Sequence, residues 1–264
     1  MGRTLIIRFL KLVLKMKKND KIRKKRGRRG LLWLLILLAL CAGLWALLCL
    51  PQAQPPGPAV SGSFVDTDPA QIPAYQGEDF VVLNQNVPNF TGEDKQRPVG
   101  VSYTELDRLG RCGTAFAVLH RSLMPTQERG EIGQIRPSGW RQNKYEGIVD
   151  SDPPYLYNRC NLIAYALTGE NANEKNLITG TRYFNSVSML AFEKQVMEYL
   201  DTSDNHVLYR VSPHFKDNEL VARGVEMEAY SVEDRGRGLS FHVFVYNYQP
   251  GIEIDYRTGD NKAR

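Results

Sequence analysis

Between Gly30 and Leu50 the chain reads GLLWLLILLALCAGLWALLCL, 21 residues without a charge. An apolar run of about 20 residues matches the thickness of a bilayer core and exceeds the roughly 7–15 residues of a cleavable signal core. No other part of this chain could cover all faces of such a helix in water, which argues against a buried core helix. Residues 1–29 hold 13 Lys/Arg and a single acid, Asp20. A cationic arm ahead of an apolar span stays in the cytoplasm, and the chain beyond the span is exported. The run therefore predicts a basic cytoplasmic arm at 1–29, a single transmembrane helix at 30–50, and an extracellular remainder held at the cell membrane. Trp33 suits the interface, whereas Trp45 lies deeper than a belt residue should. A signal peptide cut near Ala53 is the alternative. Within the arm, Arg8, Lys11 and Lys15 share one helical face, which suits either an anionic membrane surface or an ordinary topogenic segment.

The arm also explains the chain's charge. The net +5 and the pI near 8.9 conceal a contribution of +12 from residues 1–29. Residues 30–264 carry 21 Lys/Arg against 28 acids, a net −7. A basic pI is thus no sign that the outer part binds nucleic acid.

Pro51–Ser63, PQAQPPGPAVSGS, reads as a semi-extended spacer, with the linker running over 51–74 and an ordered domain over 75–264. β-branched and apolar content predicts strands at 79–84, 112–120, 206–214, 219–232 and 239–249. Residues 121–154 are rich in Pro and Gly and predict turns. Apolar spacing predicts one partly buried helix at 187–200. A central antiparallel sheet with few helices is an α+β domain. Cys112 and Cys160 could pair in an oxidising compartment or remain two buried thiols. Asn89-Phe90-Thr91 fits a glycosylation triplet, which is common by chance.

The chemistry concentrates in YNRCNLIAYALTGENANEKNLITGTRYFN, Tyr157–Asn185, which is rich in asparagine and has no histidine. An asparagine can ligate a metal or bind phosphate, but it cannot accept a proton at neutral pH. Asn185 offers a neutral oxygen to a hard cation such as Mg²⁺, and Glu193 lies two helical turns further on. Arg159 suits a phosphate oxygen through its fork of donors. Each has a bland counterpart: Asn185 as a helix N-cap, Glu193 as a solvated acid, Asn176 and Arg182 as turn and surface residues.

This stretch, with GQIRPSGW at 133–140 and IEIDYRTGD at 252–260, resembles the DNA/RNA non-specific endonucleases. These are ββα-metal, or His-Me finger, enzymes, and the likeness is nearest to membrane-anchored and secreted nucleases of Gram-positive bacteria. The family pattern is Asp-Arg-Gly-His, then an Asn nine residues before a second Asn, then a Glu eight further on. Here it reads Asn158-Arg159-Cys160-Asn161, Asn176, Asn185 and Glu193. The resemblance implies a ββα-metal finger in the sheet domain and hydrolysis of DNA and RNA phosphodiesters. It implies Mg²⁺ or Mn²⁺ at Asn185 and Glu193, and no small-molecule cofactor. Arg159 and Asn176 are the implied catalytic partners, and Arg182 is a weaker candidate for phosphate.

Asn161 occupies the position where the family has its histidine general base. An asparagine there can orient a water but not deprotonate it, and losing a general base costs about 10²–10⁴ in rate. None of His120, His206, His214 and His242 has a spacing that nominates it as a substitute. Three readings stay open: a weakened endonuclease, a pseudonuclease that holds nucleic acid without cutting, and an envelope scaffold.

Overall fold

A computed structural model describes residues 62–64, 73 and 75–264. The arm at 1–29, the apolar run at 30–50 and most of the spacer lie outside the described residues. Among the described residues no helix is long and apolar enough to cross a membrane.

Strands β1 (Gly62–Phe64), β2 (Phe80–Val82), β3 (Gly100–Tyr103) and β4 (Ala115–Leu119) precede the turn-rich segment. Then come β5 (Tyr157–Asn161), α1 (Tyr165–Thr168), β6 (Leu177–Thr181) and α2 (Met189–Thr202). The chain closes with β7 (Val207–His214), β8 (Gly224–Ser231), β9 (Ser240–Tyr246), β10 (Ile252–Ile254) and β11 (Asn261–Ala263). Seven strands form the main sheet in the order β1-β2-β9-β8-β7-β4-β3. All its pairs are antiparallel except β1 with β2. The α+β class and the five predicted strands are therefore present. The expected spacer also contributes a strand, since β1 lies within 51–74.

Period-two alternation gives the sheet its two faces. Phe241, Val243 and Val245 of β9 join Met227, Ala229, Tyr209 and Val211 in the main core. Phe192, Val196 and Leu200 of α2 pack into that same core, at the helical spacing expected of a buried stripe. The intervening residues of β9 face the other way: Phe244 and Tyr246 enter a smaller cluster with Val81 and Leu83. His242 on that side is fully buried beneath the 84–91 loop, its ring nitrogens bonded to Val87 O (3.1 Å) and Glu226 Oε1 (2.6 Å).

The β5–β6 hairpin is a separate two-stranded sheet. Asn247, fully buried, ties it to the main sheet: its amide oxygen accepts from Thr181 N, and its nitrogen donates to Thr179 O and Ala222 O, all at 3.0 Å. One side chain thus satisfies three backbone groups where two sheets meet.

Candidate functional site

Hairpin and helix form a ββα unit whose geometry comes from a few residues. Alternation along β5 sends Cys160 into the core and Arg159 and Asn161 to the opposite face. Gly180, opposite Asn158, allows close approach to the helix: a Cβ there would lie 2.3 Å from Cys160 Sγ and 2.7 Å from Phe184 Cδ1. Thr181 opens the helix by accepting from Phe184 N at 3.0 Å, and Gln249 accepts from Tyr183 N at 3.0 Å. Phe184–Ser188 then form a π-helical turn that runs directly into α2.

That turn places Asn185. In an unbroken α-helix, residues eight apart are offset by about 80° beyond two full turns. The wider π turn absorbs much of this offset and brings Asn185 onto the face of Glu193. Asn185 therefore sits inside a helix and caps nothing, so the N-cap role does not apply to it. Glu193 is not a solvated acid either. It is only 8% exposed, and burial pushes its carboxyl up to about 8 while the Arg129 guanidinium pulls the other way.

Asn161, Asn185, Glu193 and Arg129 line one cavity of about 320 Å³, together with Tyr165 and Leu190. Arg129 Nη2 donates to Asn161 Oδ1 at 2.6 Å, leaving Asn161 Nδ2 buried and unpartnered. A buried carboxylate with the Asn185 amide lining the same cavity is a donor set suited to a hard divalent cation that keeps several waters, whose charge would offset the cost of ionising Glu193. The residues present fit such an ion.

A second, more open cavity of about 500 Å³ shares Arg129 and Asn185 with the first and adds Asn158, Arg159 and Arg182. Arg159 is held firmly: Nη2 donates to Gly133 O at 2.7 Å, Nε donates to Ile135 O, and the guanidinium stacks 4.5 Å from the centre of Trp140. Among the described residues no carboxylate lies within ion-pair distance of Arg129, Arg159 or Arg182.

Asn176 does something other than meet substrate. It is 1% exposed, and both ends of its amide are spent on Ile163, accepting from N (2.8 Å) and donating to O (3.0 Å). It braces the turn that comes after Asn161. The four histidines line neither cavity; each pairs with a carboxylate on or beside the main sheet. Cys112 and Cys160 are free, buried thiols rather than a disulfide. Burial pushes Cys112 up to about 12, and Cys160 is raised as well, so neither is a ready nucleophile. Arg129 is the residue the sequence did not reveal. It sits 32 positions before Asn161 in a Gly/Pro-rich segment with no periodicity to mark it.

Residues 89–233 match the DNA/RNA non-specific endonuclease family. The fold is similar to NucA from Streptococcus agalactiae with magnesium bound, at 27% identity and a TM-score of 0.60, covering 69% of this chain and 87% of that one. The metal-free form of NucA gives 28% and 0.59, covering 69% and 86%. The zinc-bound Sda1 nuclease is similar at 25% identity and a TM-score of 0.52, covering 62% of this chain and 82% of that one.

Proposed function

Because the chain belongs to the DNA/RNA non-specific endonuclease family, we propose that residues 75–264 form a metal-dependent site for DNA and RNA phosphodiesters, slowed at the proton-transfer step by Asn161. In this reading residues 30–50 anchor it in the cell membrane with the domain outside. One observation carries it: Arg129, Arg159 and Arg182 converge, without carboxylate partners among the described residues, on cavities that also contain Asn185 and Glu193. On a domain of net −5, with 21 Lys/Arg against 26 acids over residues 75–264, unpaired guanidiniums kept together call for an anion, and a bridging phosphate supplies it.

The residues divide the work. Arg159, fixed by two backbone carbonyls and Trp140, presents its remaining donors to a phosphate oxygen, and Arg182 meets the same groove. Arg129 reaches both cavities and can exchange its bond to Asn161 for one to phosphate. Asn185 and Glu193 would hold Mg²⁺ or Mn²⁺, which supplies charge stabilisation on the phosphate when bound; magnesium in NucA supports this choice. Glu193 must lose its proton to do so. Asn161 can donate from Nδ2 to an oxygen in the inner cavity, but it offers no site for the proton of an attacking water.

The same observation favours a second reading, a surface protein that holds nucleic acid without cutting it, since binding needs the arginines and not the base. Plasmid nicking and filter binding by the full-length protein in detergent separate the two. Slow nicking that requires millimolar Mg²⁺ and stops with a chelator supports the enzyme. Binding without nicking supports the holder, and no binding at low salt contradicts both.

A further inference from the structure

The groove containing Arg159 does not end there. Its wall residue Gln142 also lines a third cavity of about 380 Å³, formed with Arg136, Trp140, Arg141, Asn143 and Asp260. The three cavities thus neighbour one another in series, the first two sharing Arg129 and Asn185 as lining residues and the last two sharing Gln142. We propose that this third cavity is a second phosphate subsite, in which Arg136 and Arg141 hold the neighbouring phosphate of a nucleic-acid strand whose reacting phosphate lies at Arg159. The proposal rests on the nuclease-family reading above and specifies the direction in which the strand leaves the site.

The segment is built to hold position. Gln142 Nε2 donates to Tyr157 O at 2.6 Å, and its Oε1 accepts from Tyr157 N at 2.9 Å, so the loop is bonded to the first residue of β5. Trp140 packs between Arg159 (4.5 Å) and Tyr157 (6.3 Å, centre to centre). Thr179 Oγ1 of β6 donates to Ser138 O at 2.8 Å. The loop and the ββα unit therefore move together.

Its positive charge is only partly compensated. Arg136 is exposed and has no carboxylate within ion-pair distance among the described residues. Arg141 meets Asp260 only at 4.0 Å, with both side chains about two-thirds exposed, a contact of little strength in water. Arg136 is close enough to Arg159 to reinforce the lowering of its pKa that burial produces. Like charges held this way are relieved by an anion between or alongside them. A polyanion entering the arginine groove brings its next phosphate to this place.

The test is the double variant Arg136→Ala/Arg141→Ala in the full-length protein, with fluorescence anisotropy on a single-stranded oligonucleotide longer than the groove and on a dinucleotide with one phosphodiester. Affinity for the oligonucleotide should fall by about tenfold, and the slope of log K against log salt should shrink by about 0.7, the value for one phosphate on a single strand. Affinity for the dinucleotide should be unchanged, and Arg136→Lys/Arg141→Lys should keep the slope. An unchanged slope with the oligonucleotide, in a protein whose parent binds it, overturns the second subsite and leaves the family reading intact. Failure of the parent to bind either probe removes the reading on which it rests.

Discussion

Arg129 donates from Nη2 to Asn161 Oδ1 at 2.6 Å, and the other end of that amide is buried with no partner. Turning the amide over would set two donors against each other, so the guanidinium fixes the orientation of the amide. At this end the amide thus offers a hydrogen-bond donor, Nδ2, and no proton acceptor. Arg129→Ala should therefore weaken DNA binding and lower its salt slope by about 0.9, one phosphate contact on duplex DNA. A salt titration of Kd measures this, and an unchanged slope would remove Arg129 from the phosphate site.

Asn185 and Asn176 should separate cleanly. Millimolar Mg²⁺ or Mn²⁺ should raise the melting temperature by mass action, and Asn185→Ala should abolish that shift with little change in metal-free stability. Asn176→Ala should do the reverse. It strands Ile163 N and O in the interior and should cost about 2–4 kcal/mol in denaturant unfolding, while the metal shift survives. Equal metal shifts in wild type and Asn185→Ala would contradict the assignment.

These two asparagines also show how far the sequence could be read. The Asn176, Asn185 and Glu193 spacings located the ββα unit, and β-branched and apolar content located β2, β4, β7, β8 and β9, because both signals are local. The π turn that aligns Asn185 with Glu193 left no such mark, since it depends on how Thr181, Gln249 and Gly180 seat the helix against two sheets. Asn176 reads as a functional asparagine by position, yet its burial turns it into a brace. Arg129 and the 136–142 segment are brought to the site by long-range contacts, such as Gln142 with Tyr157, that no periodicity encodes. β3, β10 and β11 were too short to stand out from their flanks.

His242 and Glu226 should set the pH limits of stability. The side-chain bond to Glu226, with the charges of Glu228 and Glu226, raises the His242 pKa despite opposing burial. Bonds from His214 and His242 hold Glu226 down at about 2, again against burial. A raised histidine stabilises fully below its unfolded value near 6.5 and loses that contribution as pH rises through its folded value. A depressed carboxylate stabilises above about 4.5 and loses it as pH falls toward 2. Stability should therefore be greatest between about pH 4.5 and 6.5, and His242→Gln should flatten the alkaline limb. Denaturant midpoints across pH measure it; an alkaline limb unchanged in the variant would exclude the pair.

The anchor is inferred from the uncharged run and the +12 arm. Full-length protein expressed in a bacterium should stay with the membrane through a carbonate wash, and external protease should release the domain. A soluble, N-terminally trimmed product as the main species would instead point to a signal peptide.

The central claim is that the phosphate and metal positions are intact and only the proton acceptor is missing. Asn161→His tests it most directly, by initial rates of plasmid nicking. The account predicts a gain of about 10²–10⁴, the range for a general base. The gain should require divalent metal and disappear when Asn185 or Arg159 is also changed. It should fade as pH drops below the imidazole pKa, because only the neutral ring accepts a proton. A folded, DNA-binding Asn161→His protein that nicks no faster than the parent would contradict it.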